Sequence, residues 1–210
     1  MLGTEPVRRA ADAARLAGSV EAATGIPLLA LTHEEEGWLN LLGVTGGRRI
    51  ARSLAVIDSG GGSTEVVVAR PDGEHTAHGL QLGSASLTAA HVRSDPPTGA
   101  EAAALRREAL RLVGTLQVGE ASEVVGVGGT ASNLVKAIPG VALDRRLTRP
   151  RLERAIEMLL VTPAEVLRVR HQLNPRRAPL LLAGAVILVA LLERLGTEEL
   201  TVSEAGLREG

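Results

Sequence analysis

Apolar and polar positions change period several times along this chain. From Glu5 to Val20, EPVRRAADAARLAGSV carries apolar residues at helical spacing behind Pro6, which predicts one helix, and TGIPLLAL reads as a turn and a short strand. Thr32 is a fitting N-cap for a helix over HEEEGWLNLLGV, with acids in its first turn and an apolar stripe at Trp38, Leu41 and Leu42. GVTGGRR breaks that helix. SLAVID, TEVVVAR and EHTAHGLQL then predict an antiparallel three-strand meander, joined by SGGGS and PDG. GSASLTAAHV reads as a short helix stopped by DPPT, and Gly99 to Val118 as a longer one with Leu105, Ala109, Leu112, Val113 and Leu116 on one face. SEVVGV is a buried strand running into GGTASNLVKAI, a glycine turn that opens a helix. Two further helices are predicted over Arg151 to Leu160 and TPAEVLRVRHQL, then an apolar helix near Leu180 to Leu192 and a last strand, ELTVS.

Composition narrows the function classes. At 210 residues and 45% hydrophobic, the chain has enough apolar surface for one large core or two small ones. A formal charge of −1, with Trp38 as the only aromatic residue, argues against nucleic-acid binding. No cysteine is present, so disulfides and thiolate metal sites are excluded. LLLAGAVILVALL falls short of the roughly 20 residues that span a bilayer, so no membrane association is expected and a cytoplasmic location is. Lys136 is the sole lysine among 23 basic residues, a bias that points to genome composition more than to chemistry. The five histidines show no metal-ligand spacing beyond the weak HTAH, and the arginines from Arg145 to Arg154 read as a solvated face.

Two glycine-rich turns carry the candidate chemistry. In VIDSGGGSTEVVVA, Gly60, Gly61 and Gly62 lie between two β runs and can adopt positive φ, turning several backbone amides into one anion-binding concavity. Asp58 at the strand end would repel that anion unless a cation bridged them, as Mg²⁺ does between carboxylates and phosphates. Ser63 and Thr64 add hydroxyl donors. The competing reading of this stretch is a tight hairpin turn. In VVGVGGTASNL, Gly128, Gly129 and Thr130 stand at a helix N-terminus, a second anion site. Together the two turns suggest a phosphate chain gripped from two sides.

These residues resemble the Ppx/GppA group of exopolyphosphatases and guanosine pentaphosphate phosphohydrolases. VIDSGGGSTE is similar to its second phosphate loop and VVGVGGTASNL to its later glycine loop. TEPVRRAADA, TGIPLLALTHEEEGWLNLLGV, GLQLGSASLT, LNPRRAPLLLAGAVIL and VSEAGLREG follow in family order. The resemblance implies an α/β, actin-like (ribonuclease H-like) ATPase fold. Residues 1–47 would be a remnant of the first subdomain carrying the catalytic glutamate, and 48–210 a complete second subdomain with the phosphate loops. The implied activity is Mg²⁺-assisted, in-line hydrolysis of the terminal phosphoanhydride of polyphosphate or of pppGpp, a nucleotide of the stringent response. Glu36 would be the general base, and Asp58 and Glu65 would hold the metal. Gly60, Gly61, Gly62, Ser63, Thr64, Gly128, Gly129 and Thr130 would hold phosphate oxygens, and Arg8 would clamp them, with Arg9 its neighbouring rival. A homodimer is the assembly the family implies.

The departures from the family pattern set the rival readings. The family's first phosphate loop does not precede Met1, so a catalytically impaired fragment that binds phosphate or a partner is the alternative, and a small-molecule kinase of the same fold is the third reading. Pro179 stands where the family has aspartate, and Gln172 where it commonly has glycine, which puts the surroundings of Arg177 in question. Strand alternation would also allow Glu65 simply to face outward.

Overall fold

The computed structural model describes residues 1–210. Its frame is a six-stranded mixed sheet in the order β5-β4-β3-β6-β8-β7, formed by β3 (Leu54–Ser59), β4 (Thr64–Ala69), β5 (His75–Leu80), β6 (Glu123–Val127), β7 (Arg146–Thr148) and β8 (Glu199–Val202). The predicted meander is present: β3 pairs antiparallel with β4, and β4 with β5. β6 lies parallel to β3 and β8 parallel to β6, while β7 closes the far edge antiparallel to β8. A separate parallel pair joins β1 (Leu2–Gly3) to β2 (Leu29–Ala30).

Strand alternation divides the sheet into two unequal faces. Ala55, Ile57, Val66 and Val68 point into a cluster of 42 buried residues. That side is covered by α4 (Ser84–His91), α5 (Gly99–Val113), α6 (Gly128–Ala137), α8 (Arg149–Leu159) and above all α10 (Leu181–Arg194), buried from Leu181 through Leu192. Leu54, Val56, Val67 and Ala69 point the other way, into a cluster of six under α3 (His33–Thr45). Because both faces are covered, β3 and β4 read as unbroken apolar runs. Three short helices complete the chain: α1 (Glu5–Arg9), α2 (Ala13–Thr24) and α9 (Ala164–His171), with a single turn α7 (Val141–Asp144) after α6.

Several local expectations need correction. The helix predicted over Glu5 to Val20 is two, because Ala10 takes an extended backbone and ends α1. The long helix stops at Val113, not Val118; Leu116 and Val118 are core residues of the turn that follows. Trp38 leaves the apolar stripe of α3 and stays 39% exposed, while Gly37 and Leu41 face the sheet. Gly37 has no side chain, so α3 sits close on Val67 and Ala77. β7 escaped the pattern because its three residues fall within a run of arginines. Those arginines form a solvated face: Arg145, Arg146, Arg149 and Arg151 each pair with an acid.

Gln172 caps α9 in the left-handed region, at φ 51 and ψ 43. That conformation explains the glycine expected there, since a Cβ is penalised in it. Gln172→Gly should therefore stabilise the protein by about 0.5–1 kcal/mol. Urea unfolding would show this as a higher midpoint at unchanged slope, and an unchanged or lower midpoint contradicts it.

Candidate functional site

The parallel strands β3 and β6 end side by side, and the loops leaving their carboxyl ends line a cleft of about 610 Å³. Thr4, Glu5 and Pro6 form one wall, and the turn after β8, from Glu204 to Glu209, forms another. Open α/β sheets place ligands at such strand ends. Of the sequence-predicted residues, Glu36, Asp58, Gly60, Gly61, Gly62, Ser63, Glu65 and Gly128 line this cleft.

Strand register assembles its acids. Asp58 and Glu65 are direct cross-strand partners, on the same face as Val56 and Val67 and hence under α3. Glu65 does not face outward: that face is covered, and the residue is only 3% exposed. From above, Glu36 and Asn40, one turn apart on α3, point down onto the same spot, and both are buried. Asn40 Nδ2 donates to Asp58 Oδ2 at 3.1 Å, whereas Asn40 Oδ1 is buried without a partner. Arg8 reaches in from α1. Its guanidinium pairs with Glu36 and donates to the Leu31 carbonyl, and stands 3.5 Å from Glu65 Oε1.

Arg8 thus differs from the free phosphate clamp predicted for it, because buried carboxylates occupy its donors. Arg9 is exposed and pairs with Glu5 at 3.2 Å. His33 was missed by the spacing search, yet its Nδ1 lies 2.7 Å from Glu65 Oε1 and 3.0 Å from Arg8. Burial pushes the Glu36 carboxyl above its ordinary value; the Arg8 hydrogen bond opposes this, and the Glu65 charge adds to it. Asp58 is also pushed up, first by burial and then by Glu65.

The glycine loop after β3 has a geometry other than the one predicted. Positive φ occurs at none of Gly60, Gly61 and Gly62. Instead, the first amides of α4, from Ser84, Ala85 and Ser86, bind the carbonyls of Gly60 and Gly61 at 2.8–3.0 Å. In a trans peptide the next N–H points opposite to the carbonyl. The amides of Gly61 and Gly62 are consequently turned away from α4, and with that of Ser63 they meet no protein acceptor. Thr64 is a further correction: it is fully buried, and its hydroxyl donates to the Leu82 carbonyl and lies 3.2 Å from Ser59 Oγ.

At the second loop, Gly128 does take positive φ, at 77°, and a Cβ there would collide with Asp58 Oδ1. Gly129 and Thr130 follow in the first turn of α6, where helix geometry leaves amides free. Thr130 is buried, with its Oγ1 3.4 Å from Ser84 Oγ, so its hydroxyl joins the two loops and does not open to the cleft. Arg177 lies over Gly129, about as close as van der Waals contact allows, and lines the cleft with Arg208. Arg177 was flagged only through its neighbours. Arg208 and Asn40 carry no signal beyond their place in longer motifs.

A covered α/β sheet with two glycine turns and carboxylates gathered at its strand ends is an architecture of the actin-like type. Residues 1–210 match the Ppx/GppA phosphatase family, and the chain belongs to that family. Exopolyphosphatase 2 of Mycobacterium tuberculosis is 31% identical to it over 209 residues, covering 86% of this chain and 61% of that protein. Exopolyphosphatase 1 of Mycobacterium bovis is 30% identical, covering 99% of this chain and 64% of that protein. The chain thus spans less than two thirds of the length of these relatives. The crystal structure of the Aquifex aeolicus family member superposes with a TM-score of 0.85 at 28% identity, covering 99% of this chain and 70% of that one. No helix is long and apolar enough to cross a membrane.

The raised acids give a pH prediction. Native Asp58 binds its proton more tightly than unfolded Asp58, so stability falls as pH rises from the ordinary 3.8 through the raised value. In metal-free buffer, Asp58→Asn should therefore melt higher than the parent at pH 7, with the gap closing toward pH values below that window. Equal melting curves across the range would refute it.

Proposed function

We propose that this chain hydrolyses the terminal phosphoanhydride of inorganic polyphosphate or of guanosine pentaphosphate, with Glu36 as general base. The observation that carries the reading is the meeting, in one polar cleft, of a buried carboxylate with raised proton affinity and the unclaimed backbone amides of Gly61, Gly62 and Ser63. Both substrates end in the same anhydride, so the family membership and the cleft support the pair of them equally.

The free amides of Gly61, Gly62 and Ser63 would hold phosphate oxygens from one side, and those of Gly128 to Thr130 from the other. Arg177 and Arg208 line the cleft as cations able to pair with the chain's charge. Glu36 would take the proton of a water attacking the terminal phosphorus opposite the leaving oxygen. Its raised proton affinity suits that task, because a base titrating nearer the working pH accepts a proton more readily.

The donor set fits a divalent cation. Asp58, partly buried with only Asn40 as a hydrogen-bond partner, and Glu65 beside it offer hard carboxylate oxygens, and the unpartnered Oδ1 of Asn40 lies on the same cleft. Three acids face one arginine, so the site carries an excess of negative charge. Magnesium commonly uses one or two carboxylates plus water and phosphate, which Asp58 and Glu65 would supply. When bound, Mg²⁺ would neutralise charge on the phosphate oxygens. A cytoplasmic location and a homodimer complete the reading.

Phosphate release from polyphosphate and from pppGpp in the presence of magnesium is the deciding assay. Glu36→Gln should lower kcat by about 10²–10⁴. A parent chain that releases no phosphate from either substrate would overturn the reading. Arg8 gives a second expectation. It opposes the upward shift of Glu36, so Arg8→Ala should move the acid limb of the pH–rate profile to higher pH as well as raise KM. An unmoved acid limb would exclude Glu36 as the titrating base.

A further inference from the structure

A second pocket, of about 240 Å³, opens at the opposite end of the β3–β4 ladder from the cleft. Asp58 pairs with Glu65 at one end of that ladder and Leu54 with Ala69 at the other. Four residues of strand put about 13 Å between these two pairs. The pocket's floor is Leu41, Leu42 and Ile50. Trp38 forms a wall, its indole stacked on His75 with ring centroids 4.4 Å apart and a 30° tilt. Arg48 and Arg49, from the loop after α3, and Arg70, from the β4–β5 turn, make the rim.

The rim is electrostatically uncompensated. None of these three arginines forms an ion pair, although arginines elsewhere on the surface do, such as Arg106 with Glu153 and Arg168 with Glu165. Arg48 Nε donates to the Thr45 carbonyl at 3.0 Å, and the guanidinium groups of Arg49 and Arg70 donate to no protein acceptor. Asp72, the one acid on the rim, accepts from the Glu74 amide at 3.0 Å within its own turn. The guanidinium groups of Arg48 and Arg49 therefore border an apolar floor with an indole at its side, while that of Arg70 is turned toward Gly119. The charge favours an anion, and the floor and indole favour a flat, weakly polar body attached to it. A bare polyphosphate chain has no such body.

We propose that this pocket binds a mononucleotide, with the base against Trp38 and the apolar floor and the phosphates held by Arg48 and Arg49. Arginine pairs with phosphate through two parallel hydrogen bonds, and aromatic rings stack on bases of any sequence. The site stands apart from the cleft, and its assignment does not rest on the phosphatase reading. The two sites share α3, which sends Glu36 and Asn40 to the cleft and Trp38 and Leu42 to this pocket.

Trp38 is the only tryptophan in the chain, so its fluorescence reports on this pocket alone. ADP and GDP should quench it saturably, whereas tripolyphosphate should not. By calorimetry, Arg48→Ala and Arg49→Ala should each weaken nucleotide binding about tenfold or more, and Arg177→Ala, in the cleft, should leave it unchanged. Both rim residues are exposed, so their loss should not disturb folding. The proposal is overturned by any of three results: no quenching or heat at millimolar nucleotide, equal quenching by tripolyphosphate, or binding lost with Arg177→Ala and kept in the rim variants.

Discussion

Three carboxylates under one helix, Glu36 and Glu65 buried and Asp58 partly buried, set the terms for the rest of the cleft. Strand register makes Asp58 and Glu65 neighbours, and α3 lays Glu36 over them. Charges removed from water are tolerated only when paired or hydrogen-bonded. Here Arg8 serves both glutamates, His33 adds a contact to Glu65, and Asp58 has only Asn40. The pairing is therefore incomplete. That deficit is borne by the opposite face of the sheet, where the 42-residue cluster against α10 holds β3, β4 and β6 in place. A rigid apolar face supports a polar face that would not hold itself together, and the polar face gains in return an affinity for cations.

The two glycine turns solve one problem by different means. Gly128 needs its missing side chain because the backbone is left-handed and Asp58 occupies the space a Cβ would fill. The loop from Gly60 to Gly62 is not left-handed at all; α4 approaches and takes up two of its carbonyls, and Gly62 needs its missing side chain because the Glu5 carboxylate packs against it. Gly83, at the start of α4, contributes to the same approach, since any side chain there would strike the backbone of Gly61. Glycine count alone did not distinguish them, because a glycine needed for closeness and one needed for conformation look alike in a sequence.

Much of this was legible before any coordinates. Strand alternation and helical spacing located the meander, the strand-to-helix glycine turn and the apolar helix, because in each the pattern ran longer than one turn or strand. It failed at β7 and α7, which are too short to carry a period. HEEEG shows the limit most clearly within the site. Its three acids are chemically identical, yet at 100° per residue they have different fates. Glu34 is exposed, Glu35 closes the capping box with Thr32, and Glu36 is buried over Asp58's face of the sheet. Choosing Glu36 required the family resemblance, since nothing in the motif says which way the helix faces. Arg8 and His33 show the converse: they meet Glu65 only through the tertiary fold, across 57 and 32 residues of chain.

Arg8 is where the structure and the hydrolysis reading make contact most directly. A guanidinium held by Glu36 keeps that carboxylate ionised, and so lowers the proton affinity that burial raises. The same group is the cation that a substrate phosphate entering beside Glu5 and Gly62 would draw on. Both demands are met in sequence if the phosphate replaces Glu36 as Arg8's partner. Glu36 then loses its counter-charge at the moment a water needs a base, and its proton affinity rises with substrate in place. Before substrate arrives the ion pair satisfies a buried charge. On the hydrolysis reading, the burial that made the charge costly is afterwards what would make Glu36 a stronger base.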